Sequence, residues 1–275
     1  MKRIWNIKEG FIVIIIVLLV MAIIPGIFYK DVLKVKLYPL FREVQKAIIL
    51  SNVKDYQQLE TEHFIIHYQT EDEDIIPLIA EASEKHYSDV SRQLGYFPKE
   101  KTDVIVYHDP DALMKNANLG QGKPPMGVYY ASTIQILSPK LWVQEGEDME
   151  KLFMNEGPMV HEFTHLLVDD LTRGNYPMWF TEGMALYQEY VQTGYQWGKE
   201  LSYEGEPYTL EQLSGEFDNL DIMLAYKRSF EIVKTIAENG GLNNLNDVLK
   251  ELGEGKNFDQ ATEEVYQMRA EDLYK

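Results

Sequence analysis

His161-Glu162-Phe163-Thr164-His165 is the stretch on which the reading of this 275-residue chain turns. On a helix of about 3.6 residues per turn the two histidines share one face, a turn apart. Glu162 lies about 100° round the axis from His161, so it can reach a metal's water without taking a coordination position. Neutral imidazoles offer lone pairs near pH 7, and a carboxylate beside them can act as base on that water. The pattern points to Zn2+, with His161 and His165 as ligands and Glu162 as the catalytic base.

Histidine spacing alone does not carry this reading. His63-Phe64-Ile65-Ile66-His67 has the same separation, but it lacks the Glu and alternates like a strand. There the two rings would stand about 13 Å apart, too far for one ion. His63 and His67 are therefore read as structural or surface residues, and so are His86 and His108. A random H-E-x-x-H would arise about once in a hundred shuffles of this composition, so a further donor is needed. A catalytic zinc takes three protein ligands and keeps a fourth position open. The chain has no cysteine, which leaves His, Asp and Glu as donors and excludes disulfides. Glu182, within Trp179-Phe180-Thr181-Glu182-Gly183-Met184-Ala185, comes 17 residues after His165. That distance lets the first helix end, turn at Arg173-Gly174-Asn175 and return antiparallel.

Towards the N-terminus, Phe11 to Phe28 is an uncharged apolar run of 18 residues. It is long enough for a transmembrane helix and is not followed by the small-residue cleavage pattern of a signal peptide. Residues 1–30 are assigned to a cytoplasmic segment and anchor. Lys2, Arg3 and Lys8 favour a cytoplasmic N-terminus, while Lys30, Lys34 and Lys36 oppose it. Residues 1–30 carry a net +3, leaving −21 on the rest of a chain of net charge −18. An acidic, cysteine-free body of this kind fits an extracytoplasmic domain and would be repelled by nucleic acid. Residues 31–58 read as a membrane-proximal helical stalk, with Phe41, Val44, Ile48 and the Ile49-Leu50 pair as a stripe.

Residues 59–275 form the main domain. Strands are expected at His63–Tyr68, Val104–Tyr107 and Gly127–Leu137, with a helix over 72–94 closed by Gly95. From about Leu152 the pattern is helical: a buried helix with Pro158 in its first turn and Gly174 as its cap, then one opened by Pro177. Residues 193–219 read as surface loop, with further helices at about 220–239, 243–252, 257–266 and 270–275. Strands first and helices afterwards give an α+β fold with the H-E-x-x-H helix beneath a small mixed sheet.

His161-Glu162-Phe163-Thr164-His165 followed by Pro177-Met178-Trp179-Phe180-Thr181-Glu182-Gly183-Met184-Ala185-Leu186-Tyr187 resembles the gluzincins, in particular the bacterial peptidase MA-like domains. The resemblance extends in pattern to Glu62–Tyr68, to Ala225-Tyr226-Lys227-Arg228-Ser229-Phe230 and to Phe258-Asp259-Gln260-Ala261, so it spans about 60–275. It implies a zincin-like fold with Glu182 as third zinc ligand. It also implies hydrolysis of peptide bonds in a peptide or protein substrate. In related gluzincins a Tyr or His from a later helix donates to the oxyanion, and Tyr226 matches that position best. Gly127-Val128-Tyr129-Tyr130-Ala131 departs from the segment that grips a free amino terminus in aminopeptidase-N-like members, so aminopeptidase specificity is not implied. Leu186 stands where thermolysin-like enzymes carry an Asp behind a zinc-bound His; Asp169 or Asp170 could give that support, but for either one a solvated acidic helix end is the favoured reading. The competing reading is a catalytically inactive zincin fold acting as a binding or scaffolding module at the membrane. Nothing in the sequence identifies the substrate or the oligomeric state.

Overall fold

The computed structural model describes residues 30–274. The expected anchor lies outside the described residues, and among those described no helix is long and apolar enough to cross a membrane. In chain order the elements are α1 (Lys30–Asn52), β1 (Gln57–Glu60), β2 (Phe64–Tyr68), α2 (Ile76–Leu94), β3 (Thr102–Tyr107), α3 (Pro110–Asn116), β4 (Gly127–Tyr130), β5 (Thr133–Leu137), α4 (Met149–Glu156), α5 (Met159–Thr172), α6 (Met178–Thr193), α7 (Leu210–Gly215), α8 (Ile222–Gly240), α9 (Leu242–Gly253) and α10 (Phe258–Tyr266). This is the expected α+β arrangement, a five-stranded sheet with a mostly helical remainder.

The sheet order is β1-β2-β3-β5-β4, with β2, β3 and β5 parallel and an antiparallel strand at each edge. β3 is buried along its whole length, as a central strand must be. Its alternate side chains feed two cores: Val104 and Val106 face α2 and α5, while Ile105 and Tyr107 face α1 and α3. On α5, Val160, Phe163 and Leu167 are each at most 5% exposed. Burying each contributes on the order of 2 kcal/mol, an upper estimate, and fixes which way the rest of the helix points.

Three expectations are corrected. Gly127–Leu137 is not one strand but the β4–β5 hairpin, in which Tyr130 pairs directly with Thr133 across a two-residue turn. That turn puts Ala131 and Ser132 at φ 47° and 60°, the left-handed geometry such hairpins demand, without the usual Gly or Asn. The segment 193–219 is not all loop; it contains α7, opened by a Thr209–Gln212 capping box, and buries Leu210, Leu213 and Phe217. Nor does 31–58 stand free as a stalk: α1 docks on the domain, and Gln57 and Gln58 already belong to β1.

α1 docks through Val35, Ile49 and Val53, and its polar side chains reach further in. The Tyr38 hydroxyl donates to Asp169 on α5 at 2.7 Å, Arg42 to the same carboxylate at 2.8 Å, and Lys46 pairs with Asp103 on β3 at 2.7 Å. Of the stripe seen in the sequence, Phe41, Val44 and Ile48 face outward, while Ile49 is buried.

Candidate metal centre

α5 begins after Pro158, where a missing N–H costs nothing, and places Glu162 in its first turn. It ends on Arg173 at φ 55°, followed by Gly174 at φ 72°. A Cβ on Gly174 would also sit 2.5 Å from the Tyr38 ring, so glycine is needed there twice over. α6 returns antiparallel after Pro177 and brings Glu182 opposite the two histidines.

His161 Nε2 lies 3.3 Å and His165 Nε2 3.6 Å from the same Glu182 Oε2. The three donor atoms all lie within 4.8 Å of one another, the single such group of three among the described residues. Glu182 Oε2 is buried and has no hydrogen-bond partner. A buried carboxylate oxygen left bare is costly unless something cationic meets it. The outer ring nitrogens are engaged elsewhere. His165 Nδ1 is 2.7 Å from Thr181 Oγ1, and His161 Nδ1 is 3.5 Å from Glu189 Oε2. In the neutral tautomer with Nδ1–H directed outward, each Nε2 would present its lone pair to the centre, the orientation metal-ligating histidines adopt.

The electrostatics agree. Burial alone would lower the pKa of His161, but Glu189 and Glu182 outweigh it and hold the ring well above the ordinary histidine range. Burial likewise pushes Glu182 up, and the two imidazoles overcome it and hold the carboxyl far below its usual range. The site thus favours positive charge between rings and carboxylate, which a divalent cation would supply. Two imidazoles and one carboxylate are a donor set that suits zinc.

Glu162 is buried, and burial, partly offset by the two histidines, raises its pKa. Gly127 on β4 lies against it: a Cβ there would come within 3.0 Å of Glu162 Oε1 and 2.5 Å of Pro158 Cβ. Tyr226 on α8 faces the same centre, its phenol kept un-ionised by burial and by the charges of Glu182 and Glu162. What lets α8 come so close is Gly183, where a Cβ would meet the Ser229 carbonyl oxygen at 2.5 Å. His161, Glu162, His165, Glu182 and Tyr226 all line one cleft of about 500 Å³, whose other wall includes Met126, Val128 and Trp197.

The supports behind the histidines differ from the sequence expectation. Asp169 does not reach His165. It is fully buried and accepts hydrogen bonds from Tyr38, Arg42, Tyr129 and Tyr176. Asp170 pairs with Arg42 at 2.5 Å. Thr181 and Glu189 take the places instead, and neither was singled out in the sequence. Glu189 stands seven residues after Glu182, two turns along the same helix face, a spacing that could have revealed it. The other histidines do not join the centre: His63 pairs with Glu84 at 2.6 Å, His67 with Asp103 at 2.7 Å and His108 with Asp72 at 3.1 Å, while His86 stands half-buried apart from it.

No curated protein matches the sequence. A family model described as the peptidase MA superfamily matches residues 90–275, which takes in β3 to β5, both metal-site helices and everything after them. With well over half of its length inside that match, the chain belongs to the peptidase MA superfamily.

Proposed function

We propose that the chain is a zinc-dependent metallopeptidase of gluzincin type, held at the cell membrane by residues 11–28 with its domain outside the cytoplasm. The observation that carries the reading is the buried Glu182 Oε2, which has no hydrogen bond and faces two imidazole nitrogens. His161, His165 and Glu182 would hold the zinc, which when bound supplies the Lewis acidity that activates a water and polarises a scissile carbonyl.

The chain's own groups do the rest. Glu162, raised in pKa and fixed against Gly127, accepts a proton from the attacking water and returns it to the leaving amine. Tyr226, protonated and facing the centre, donates to the developing oxyanion. β4 is the sheet edge beside the cleft, so an extended peptide can add to it as a further strand.

The test uses the full-length chain in detergent. Elemental analysis should find about one zinc per chain, and a broad peptide library should be cleaved. Glu162→Gln should keep the zinc and lose roughly 10²–10⁴ in turnover. Zinc-free protein, or a variant as active as the parent, removes the enzyme reading. Zinc without any cleavage selects the inactive scaffold.

A further inference from the structure

Six of the exposed large hydrophobic side chains among the described residues lie on the outward face of α1. Leu33, Leu37, Leu40, Phe41, Val44 and Ile48 are each between 49% and 68% exposed. At about 100° per residue these six fall within roughly 100° of arc, opposite the side that docks on the domain, and extend over about 22 Å of helix. Exposed Lys34 and Lys36 flank the stripe, one on each side. An apolar stripe this continuous on a water-facing helix signals a partner.

Two facts select that partner. The uncharged run 11–28 ends two residues before α1 begins at Lys30, so on the anchoring reading α1 starts where the chain would leave the bilayer. And on the outward side exposed Lys34 and Lys36 outnumber exposed Glu43, while Arg42 and Lys46 are held by Asp169, Asp170 and Asp103 on the docked side, a residual charge whose sign suits an anionic leaflet. We propose that the outward face of α1 lies on an anionic phospholipid bilayer, with its apolar stripe at the acyl boundary and Lys34 and Lys36 at the level of the phosphates. This goes beyond the anchoring reading above, on which it rests for the direction of approach. Because Tyr38 and Arg42 fasten the opposite face of the same helix to Asp169 on α5, the docked helix holds the cleft at a fixed height above the bilayer.

The absence of cysteine allows a single reporter. Full-length chain carrying Leu40→Cys with a polarity-sensitive fluorophore is reconstituted into phosphatidylglycerol/phosphatidylethanolamine vesicles, beside a control label at exposed Glu145→Cys. Brominated acyl chains should quench most of the emission at 40 and little at 145. Adding Leu37→Glu and Val44→Glu should abolish the quenching. Changing Lys34 or Lys36 to Gln should shift the docked-to-undocked ratio roughly fivefold for each lysine.

Alkali-resistant co-sedimentation with the vesicles reports the anchor separately. Chain that co-sediments while the label at 40 stays as open to aqueous iodide as the control overturns the docking and leaves the anchor standing. Quenching by brominated lipid in a chain stripped off by alkali keeps the docking and removes the anchor. A label at 40 shielded from iodide but untouched by brominated lipid, or paired with its like as protein density rises, gives the face to residues 11–28 or to a second copy. Either result overturns the proposal.

Discussion

Two pairs of histidines in this molecule share one spacing and have opposite fates. His161 and His165 sit on a helix with ring centroids 4.7 Å apart and lean on one acid between them. His63 and His67 flank a strand, and each has an acid of its own: Glu84 at 2.6 Å, with His63 also stacked on Tyr87, and Asp103 at 2.7 Å, with Lys46 on its other oxygen. In the strand pair each ring has a polar partner of its own within hydrogen-bond distance. The helix pair leaves a buried carboxylate oxygen without a hydrogen bond, and that difference marks it, rather than the strand pair, as the candidate metal centre. Ligand chemistry is therefore read from what the side chains still lack, not from how they are spaced.

The sharpest way to break the comparison is to cross the pairs. His165→Ala should take the zinc content from about one per chain to none by native mass spectrometry, while His67→Ala should leave it unchanged. Zinc lost equally from both would erase the distinction. Gly127→Ala comes next: a methyl has to displace Glu162 or Pro158, so kcat/KM should fall by up to about 10² with zinc affinity intact, and a drop in affinity instead would place the damage at the ligands. Thr181→Val removes the partner of His165 Nδ1, and competition with a chelator should show zinc held roughly 10–100-fold more weakly.

The smallest effect belongs to the strand pair. Asp103→Asn should cost on the order of 1–3 kcal/mol of stability. Burial raises the Asp103 pKa, but His67 and Lys46 outweigh it and hold the carboxyl below the usual aspartate range. A depressed folded pKa gives stabilisation that is present above the unfolded value of about 3.9 and lost as pH falls through the folded value. The Tm gap between parent and variant should therefore narrow in acid below about pH 4. A gap that widens there would contradict the assignment.

The parts that were legible in the sequence are those in which one element carries its own signal. α5 and α6 follow from helical periodicity bounded by Pro158, Gly174 and Pro177, and the facing of His161, His165 and Glu182 follows from helix geometry. β1 was invisible because all four of its residues are exposed, which leaves no alternation to read. The β4–β5 hairpin was hidden by a turn built from Ala131 and Ser132, whose types give no hint of positive φ. α7 was missed although Thr209 and Gln212 spelled a capping box. Asp169 could be placed on the right face of α5 but not given its partners, since Tyr38 lies 131 residues away and Tyr129 lies 40. Such contacts exist only once the chain has closed on itself.

The close approach at Gly183 has a consequence for how this protein could change. Glu182 and Tyr226 are spaced by Gly183 pressed against the Ser229 main chain and the Val233 side chain, with no side chain on Gly183 itself to trim. The floor of the cleft can therefore tolerate almost no variation in size. Across from it, Leu119, Met126 and Trp197 are side chains on loops, replaceable one at a time without shifting a ligand atom. An engineer reshaping the cleft would randomise that rim and leave the floor alone.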